Sequence, residues 1–219
     1  DNAKELKQTL NETLRMEQNC LEQIRHSINH CKNNIAVCEK QIKKCSSASL
    51  AILETKKSAF KDNLLIWNTM GHIQMASIEM KEYMKRLSVE SIDEWEERDV
   101  IKSVYTAIYE TSKKLVDATA DIFKFIKHYF PNYDYRAFTD VRKELCRFRE
   151  SNTSELTRVR NTIDAHRDVE VSVQIEVIEG LHLANAVQLI VEYEGIINKL
   201  GNETSPIKEL GLKRLQACF

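Results

Sequence analysis

Glycine and proline are nearly missing from this sequence, with 5 Gly and 2 Pro in 219 residues. Sheet architectures need a turn about every 8–12 residues, so the chain is expected to be all-α. The same scarcity argues against a Gly-rich loop that cradles nucleotide phosphates. An excess of charge of one sign is also missing. The 32 Lys and Arg against 33 Asp and Glu give a net charge of −1, so no global basic field marks a nucleic-acid binder. No apolar run approaches the roughly 18 residues that cross a bilayer, and Asp1–Leu10 is polar, without a signal-peptide core. No membrane association is expected, and the chain is expected to be cytoplasmic. There is no CxxC pair and no HExxH, so neither a metal nor another cofactor is expected.

Six cysteines are present: Cys20, Cys31, Cys38, Cys45, Cys146 and Cys218. Cys31, Cys38 and Cys45 recur every seven residues, which stacks them on one helix stripe too far apart to bridge one another. They read as small, reduced core residues, with disulfides across a dimer as the alternative. The sequons at Asn11, Asn152 and Asn202 matter only in a secreted protein.

An apolar seam with a heptad period runs from Leu10 to Cys45. Leu14, Leu21, Ile28, Ile35 and Ile42 fall on one position, and Leu10, Ile24, Cys31, Cys38 and Cys45 on the other. Such a seam keeps facing a partner helix over many turns. The partner is either the next helix of the same chain or a second copy. The small polar stretch Cys45–Ser49 breaks the helix, and a second helical run covers about Leu50–Leu87. An antiparallel hairpin over residues 1–90 is therefore expected, followed by a helical bundle over residues 91–219. In the bundle, Ser91 and Glu94 have capping-box spacing for a third helix ending before Pro131. A fourth helix is expected over about Arg136–Arg167. Val169–Val177 alternates apolar and polar but slides into a helical pattern, so a short extended lead and a helix from about Ser172 to Leu200 are expected. Gly201 suits its C-cap, and Pro206–Phe219 reads as a separate terminal helix.

The fourth helix carries seven Arg (136, 142, 147, 149, 158, 160, 167) and one Lys against five acids. Guanidinium binds phosphate as a planar fork and stacks on bases, so an Arg-biased helix points mildly to RNA or another phosphate ligand. A solvated, ion-paired face explains the composition equally well. Tyr129, Tyr133 and Tyr135 surround Pro131, where packing of a helix junction is the commoner role of aromatic residues.

Arg160-Asn161-Thr162-Ile163-Asp164-Ala165-His166-Arg167-Asp168 closes this helix. It resembles the HEPN superfamily, in the form found in abortive-infection HEPN domains, over roughly the last 125 residues. The resemblance implies a metal-independent endoribonuclease, or an RNA-binding effector that does not cut, of bacterial defence or stress response, acting on RNA as a homodimer in which two motifs face one cleft, with an antitoxin or other partner protein as its regulator. It implies that His166 serves as general acid or base, that Arg160 holds the scissile phosphate, and that Asn161 orients the His or the phosphate. Arg158 and Arg167 are the accompanying phosphate-binding candidates, and the products carry a 2′,3′-cyclic phosphate. Two features qualify the motif. Arg25-His26-Ser27-Ile28-Asn29-His30 satisfies the same loose pattern on the outward side of the hairpin. On an ideal helix, six residues at about 100° each leave Arg160 and His166 about 120° apart, so they converge only where the helix distorts or where a dimer mate supplies one of them. The HRD at His166–Asp168 lacks the Gly-rich loop and DFG of a protein kinase. The alternative function, from a different class, is a non-catalytic helical scaffold or adaptor working through its coiled coil.

Overall fold

The computed structural model describes residues 2–45, 47–162 and 170–218. Among the described residues the chain forms six helices and no strand: α1 (Asn2–Ile42), α2 (Ser47–Val89), α3 (Glu94–Tyr129), α4 (Arg136–Arg160), α5 (Val171–Glu179) and α6 (Leu183–Gln216). The all-α fold expected from the lack of turn formers is what the structure has.

The heptad seam of α1 is covered within the chain. α1 and α2 run antiparallel, with Glu17 meeting Ser77, Ile24 lying against Gly71, and His30 against Phe60. Leu14, Ile24, Cys31 and Cys38 are buried along this seam, each aliphatic one contributing on the order of 1.5–3 kcal/mol by leaving water. A Cβ on Gly71 would stand 3.5 Å from Ile24 Cγ2, an ordinary van der Waals contact, so Gly71 lies against the seam without being required by it. All six cysteines are free thiols, and burial pushes the Cys31 thiol up.

α2 is the central helix. Its other faces pack antiparallel on α3, where Arg86 reaches Glu96, and on α6, where Asn63 donates to the Gly211 carbonyl at 2.9 Å. α4 runs antiparallel to α6, through Lys199–Glu144 at 2.7 Å and the stacked rings of Phe148 and Tyr193. α2, α3, α4 and α6 thus form an up-down-up-down bundle, the topology that short connections produce. One buried cluster joins Ile66, Ile73, Ala76 and Met80 of α2 to Ile108 and Ile122 of α3, Leu145 of α4, and Ile190 and Ile197 of α6. The core is therefore continuous through residue 90, and α2 serves both the hairpin and the bundle.

Several local expectations are corrected. The cap of α3 is Asp93, whose Oδ1 accepts from the Glu96 N–H at 2.8 Å, rather than Ser91. The acidic run from Asp93 to Glu97 offers more than one register, and this one places three glutamates at the positive helix end. The helix expected from Ser172 to Leu200 is broken at Gly180–His182, where His182 is extended and Leu181 turns into the core. Past that break, α6 does not stop at Gly201. It runs through Gly201 and Pro206 to Gln216, because Leu200, Thr204, Ile207 and Leu210 bury one continuous face. Thr204 Oγ1 back-bonds to the Leu200 carbonyl. Pro206 costs one intrahelical hydrogen bond, and packing outweighs that loss.

Candidate functional site

α4 carries its arginines on two stripes. Arg136, Arg147 and Arg158 recur every eleven residues and are exposed, whereas Arg142, Arg149 and Arg160 form a second line and are half-buried. The inner line meets α3. Arg142 lies over the Phe123 ring at 5.8 Å and Arg160 over the Tyr109 ring at 5.5 Å. A guanidinium stacks on an aromatic face while its edge stays available for hydrogen bonds.

Arg160, in the last turn of α4, is held from three sides. Nε donates to Glu110 Oε1 at 3.2 Å, Nη1 donates to Asn161 Oδ1 at 3.2 Å, and the plane rests on Tyr109. Among the described residues, Nη2 makes no hydrogen bond. The guanidinium side chain is about one-third exposed and its Glu110 partner 40% exposed, so the group is fixed while still open to solvent. Fixing an open guanidinium is the arrangement that a phosphate site needs.

Beyond Arg160 the helix changes pitch. Asn161 and Thr162 continue as a wider, π-type turn. Such turns alter the register of the residues after them and occur often at functional sites. His166 and Arg167 lie outside the described residues, as does the rest of the helix expected up to Arg167. Arg158 is exposed one turn from Glu155, whose carboxylate accepts from the Tyr105 hydroxyl at 3.4 Å. Burial, reinforced by the negative charge of Glu155, pushes the Tyr105 phenol up to about 12.

The structure thus brings together Arg160 and Asn161 of the sequence candidates, and adds Glu110 and Tyr109. Neither of these two is announced by the sequence: each stands about 50 positions earlier, in α3, with no spacing that ties it to Arg160. A cleft of about 350 Å³ between α2 and α3 adjoins this cluster, with Glu79, Tyr83, Glu110 and Lys114 along it. The second copy of the loose motif behaves as a solvated face: Arg25 and His26 pair with Glu22, and His30 is exposed. The aromatic residues around Pro131 pack the α3–α4 junction, Tyr135 on Phe123 and Tyr129 on Phe125 and Arg214. They stand at the opposite end of α4 from Arg160.

One ionic cluster lies away from this site. Lys81 Nζ is 2.8 Å from Glu17 Oε1 and 2.6 Å from Glu194 Oε1, joining α1, α2 and α6. Burial works against the Lys81 charge, but the hydrogen bonds it donates to both carboxylates, with their negative charge, outweigh that and raise its pKa. Glu17 stands on the seam position of Leu10 and Ile24, so an acid on an apolar stripe was its signal in the sequence. No helix among the described residues is long and apolar enough to cross a membrane. Set against family models, curated proteins and solved structures, the chain matches none of them.

Proposed function

We propose that this chain is a HEPN-type, metal-independent endoribonuclease, an RNA-directed effector of bacterial defence or stress response that works as a homodimer. The observation that carries the reading is the fixed, open guanidinium of Arg160, held by Glu110, Asn161 and Tyr109 where α4 changes pitch and leads into the segment bearing His166. In this reading Arg160 binds the scissile phosphate and stabilises the charge added as the 2′-oxygen attacks phosphorus. The 2′-hydroxyl gives up its proton as it attacks, the bond to the 5′-oxygen breaks, and the leaving oxygen takes a proton. His166 moves that proton, its imidazole being suited to transfer near neutrality. The products are a 2′,3′-cyclic phosphate and a 5′-hydroxyl. Arg158 and Arg167 extend the phosphate contacts.

A second reading, a non-catalytic helical scaffold, is favoured by one specific observation. Arg142 stacks on Phe123 much as Arg160 stacks on Tyr109, so both arginines serve as struts between α3 and α4. The test is incubation of the protein with mixed RNAs in EDTA, comparing the wild type with His166→Ala and Arg160→Ala. The enzyme reading expects cleavage ending in cyclic phosphate, reduced at least about 100-fold in each variant. Cleavage that persists in both variants, or no cleavage by any form, leaves the scaffold.

A further inference from the structure

α1 carries a second stripe beside the seam that α2 covers. Counting by seven from Leu6 to Gln41 and from Thr9 to Val37 gives eleven positions, none of them Lys, Arg, Asp or Glu. The same count on the other flank, from Gln8 to Lys43 and from Asn11 to Glu39, also gives eleven positions. Six of those are charged: Arg15, Glu22, Arg25, Lys32, Glu39 and Lys43. Both flanks border the heptad seam equally, so contact with water on its own predicts no such difference.

Two further observations fall on the uncharged flank. Among the described residues, the exposed large apolar side chains of α1 are Leu6, Met16 and Val37, and all three belong to it. Its polar members turn back on their own helix: Thr9, Thr13, Ser27 and Asn34 each donate to a backbone carbonyl one turn earlier. Donors satisfied in this way need no partner from water.

The stripe forms one wall of a groove. α1 and α6 both run antiparallel to α2 and flank it, with Glu17 and Glu194 meeting Lys81 between them. Met16 and Cys20 line a cavity of about 390 Å³ over Ile73, and Ser27 and His30 line another of about 470 Å³ over Phe60 and Trp67. The α6 wall repeats the pattern. Val191, Asn198, Ser205 and Leu212 recur by seven without a charge, and the exposed large apolar residues of described α6 are the two ends of that row.

We propose that this face docks a second copy of the chain, the two α1 helices lying antiparallel about a two-fold axis, each along the other's α1–α6 groove. Depletion of charged residues is the composition of an interface centre rather than of a solvated helix. The α1 stripe spans about 47 Å and the α6 row about 32 Å; with helices about 10 Å across, the face offers on the order of 800 Å², what one partner of a stable interface buries. Charge selects the occupant and its direction. Residues 4–22 carry three bases and four acids, net −1, whereas residues 23–44 carry five bases and one acid, net +4. Antiparallel pairing sets each basic half against the other copy's acidic half, and parallel pairing would stack the two basic halves. A two-fold contact is self-complementary, so one face serves as both ridge and groove. The inference does not rest on the ribonuclease reading, since the face belongs to α1 and α6 and the Arg160 cluster to α3 and α4. A contact joining two Arg160 clusters uses other surfaces, so the α1 contact is read from the change that α1 substitutions cause, not from mass alone.

The test is sedimentation equilibrium of the full chain without RNA. It compares the wild type with Thr9→Lys/Met16→Lys on the stripe and Asn11→Lys/Gln18→Lys on the charged flank. All four positions are exposed, so the two variants add equal charge to the same half of α1 without entering the core, and circular dichroism checks their helix content. The expected result is reversible self-association of the wild type, weakened at least about tenfold by the stripe pair and changed by less than about twofold by the flank pair. Thr9→Glu/Met16→Glu is expected to weaken it less than the lysine pair does, because these positions meet the partner's basic half. A wild type that is monomeric at every concentration overturns the proposal and leaves the groove to a helix of another protein. Equal effects of the stripe and flank pairs overturn it as well. A glutamate pair more disruptive than the lysine pair overturns the antiparallel arrangement.

Discussion

Arg160 and Glu110 meet across the α3–α4 interface at 3.2 Å, with both side chains partly open to water. A pair this exposed contributes little to stability, on the order of 0–1 kcal/mol. Its value lies in direction: Glu110 takes Nε and thereby aims the rest of the guanidinium.

The corresponding prediction separates stability from function. Glu110→Ala is expected to lower unfolding free energy by less than about 1 kcal/mol and, under the proposed ribonuclease function, to reduce RNA cleavage by about tenfold or more, mostly in kcat. Glu110→Gln keeps an acceptor oxygen and is expected to recover part of the loss. Denaturant melts and single-turnover cleavage of one RNA read the two effects apart. Loss of stability in step with activity makes Glu110 merely structural.

The glycines of α6 give a graded series. A Cβ on Gly211 would stand 2.8 Å from Asn63 Oδ1 and from Ile66 Cδ1, on Gly201 it would meet Ile73 at 3.6 Å, and on Gly195 it would meet nothing within 4 Å. Asn63 is also pinned, donating to the carbonyls of Ala59 and Gly211, so it yields poorly. Gly211→Ala is expected to destabilise by about 1–3 kcal/mol through overpacking. Gly195→Ala is expected to stabilise by about 0.5–1 kcal/mol through helix propensity, with Gly201→Ala between them. Thermal melts of the three variants check the order, and a neutral Gly211→Ala refutes the close packing of α6 on α2.

That helix also marks how far the sequence could be read. The α1 seam was legible because Leu14, Ile24, Cys31 and Cys38 repeat locally, and their period alone demands a partner. Gly201 and Pro206 carry an equally local signal for termination, yet α6 continues, because the face from Leu200 to Leu210 is buried by α2, nearly 150 residues earlier. Arg160 was legible as a residue type at a helix end, but its aim is set by Tyr109 and Glu110, which no spacing near Arg160 announces. Patterns within one helix were readable; the demands of a neighbouring helix on it were not.

Lys81 supplies the next prediction. Truncating the middle of a buried three-way ion cluster leaves two carboxylates facing each other without a counter-charge. Lys81→Met is expected to cost about 2–4 kcal/mol, below the upper range for fully buried pairs because Glu17 and Glu194 are about one-fifth exposed. The triple variant Glu17→Leu, Lys81→Met, Glu194→Leu is expected to recover most of that loss, since apolar replacement of a whole cluster is often neutral. Equilibrium unfolding in urea measures both. A triple variant no more stable than Lys81→Met shows instead that the charges themselves hold α1 and α6 to α2.

Alkaline pH provides a test of the α3–α4–α6 core. Burial pushes the Tyr105 phenol up to about 12 and raises Tyr193 as well, while an unfolded tyrosine titrates near about 10. The folded chain therefore holds these protons more tightly than the unfolded chain does. Their contribution is fully present below pH about 10 and is lost as pH climbs towards about 12. Lys81, also raised, acts in the same direction. Stability is expected to fall steeply over that interval, with tyrosinate absorbance from these two rings appearing together with loss of helix. Tyr105→Phe removes one titrating proton and is expected to flatten the slope. An unchanged slope in that variant places the alkaline transition elsewhere, and early ionisation of both rings in a still-helical protein contradicts their burial.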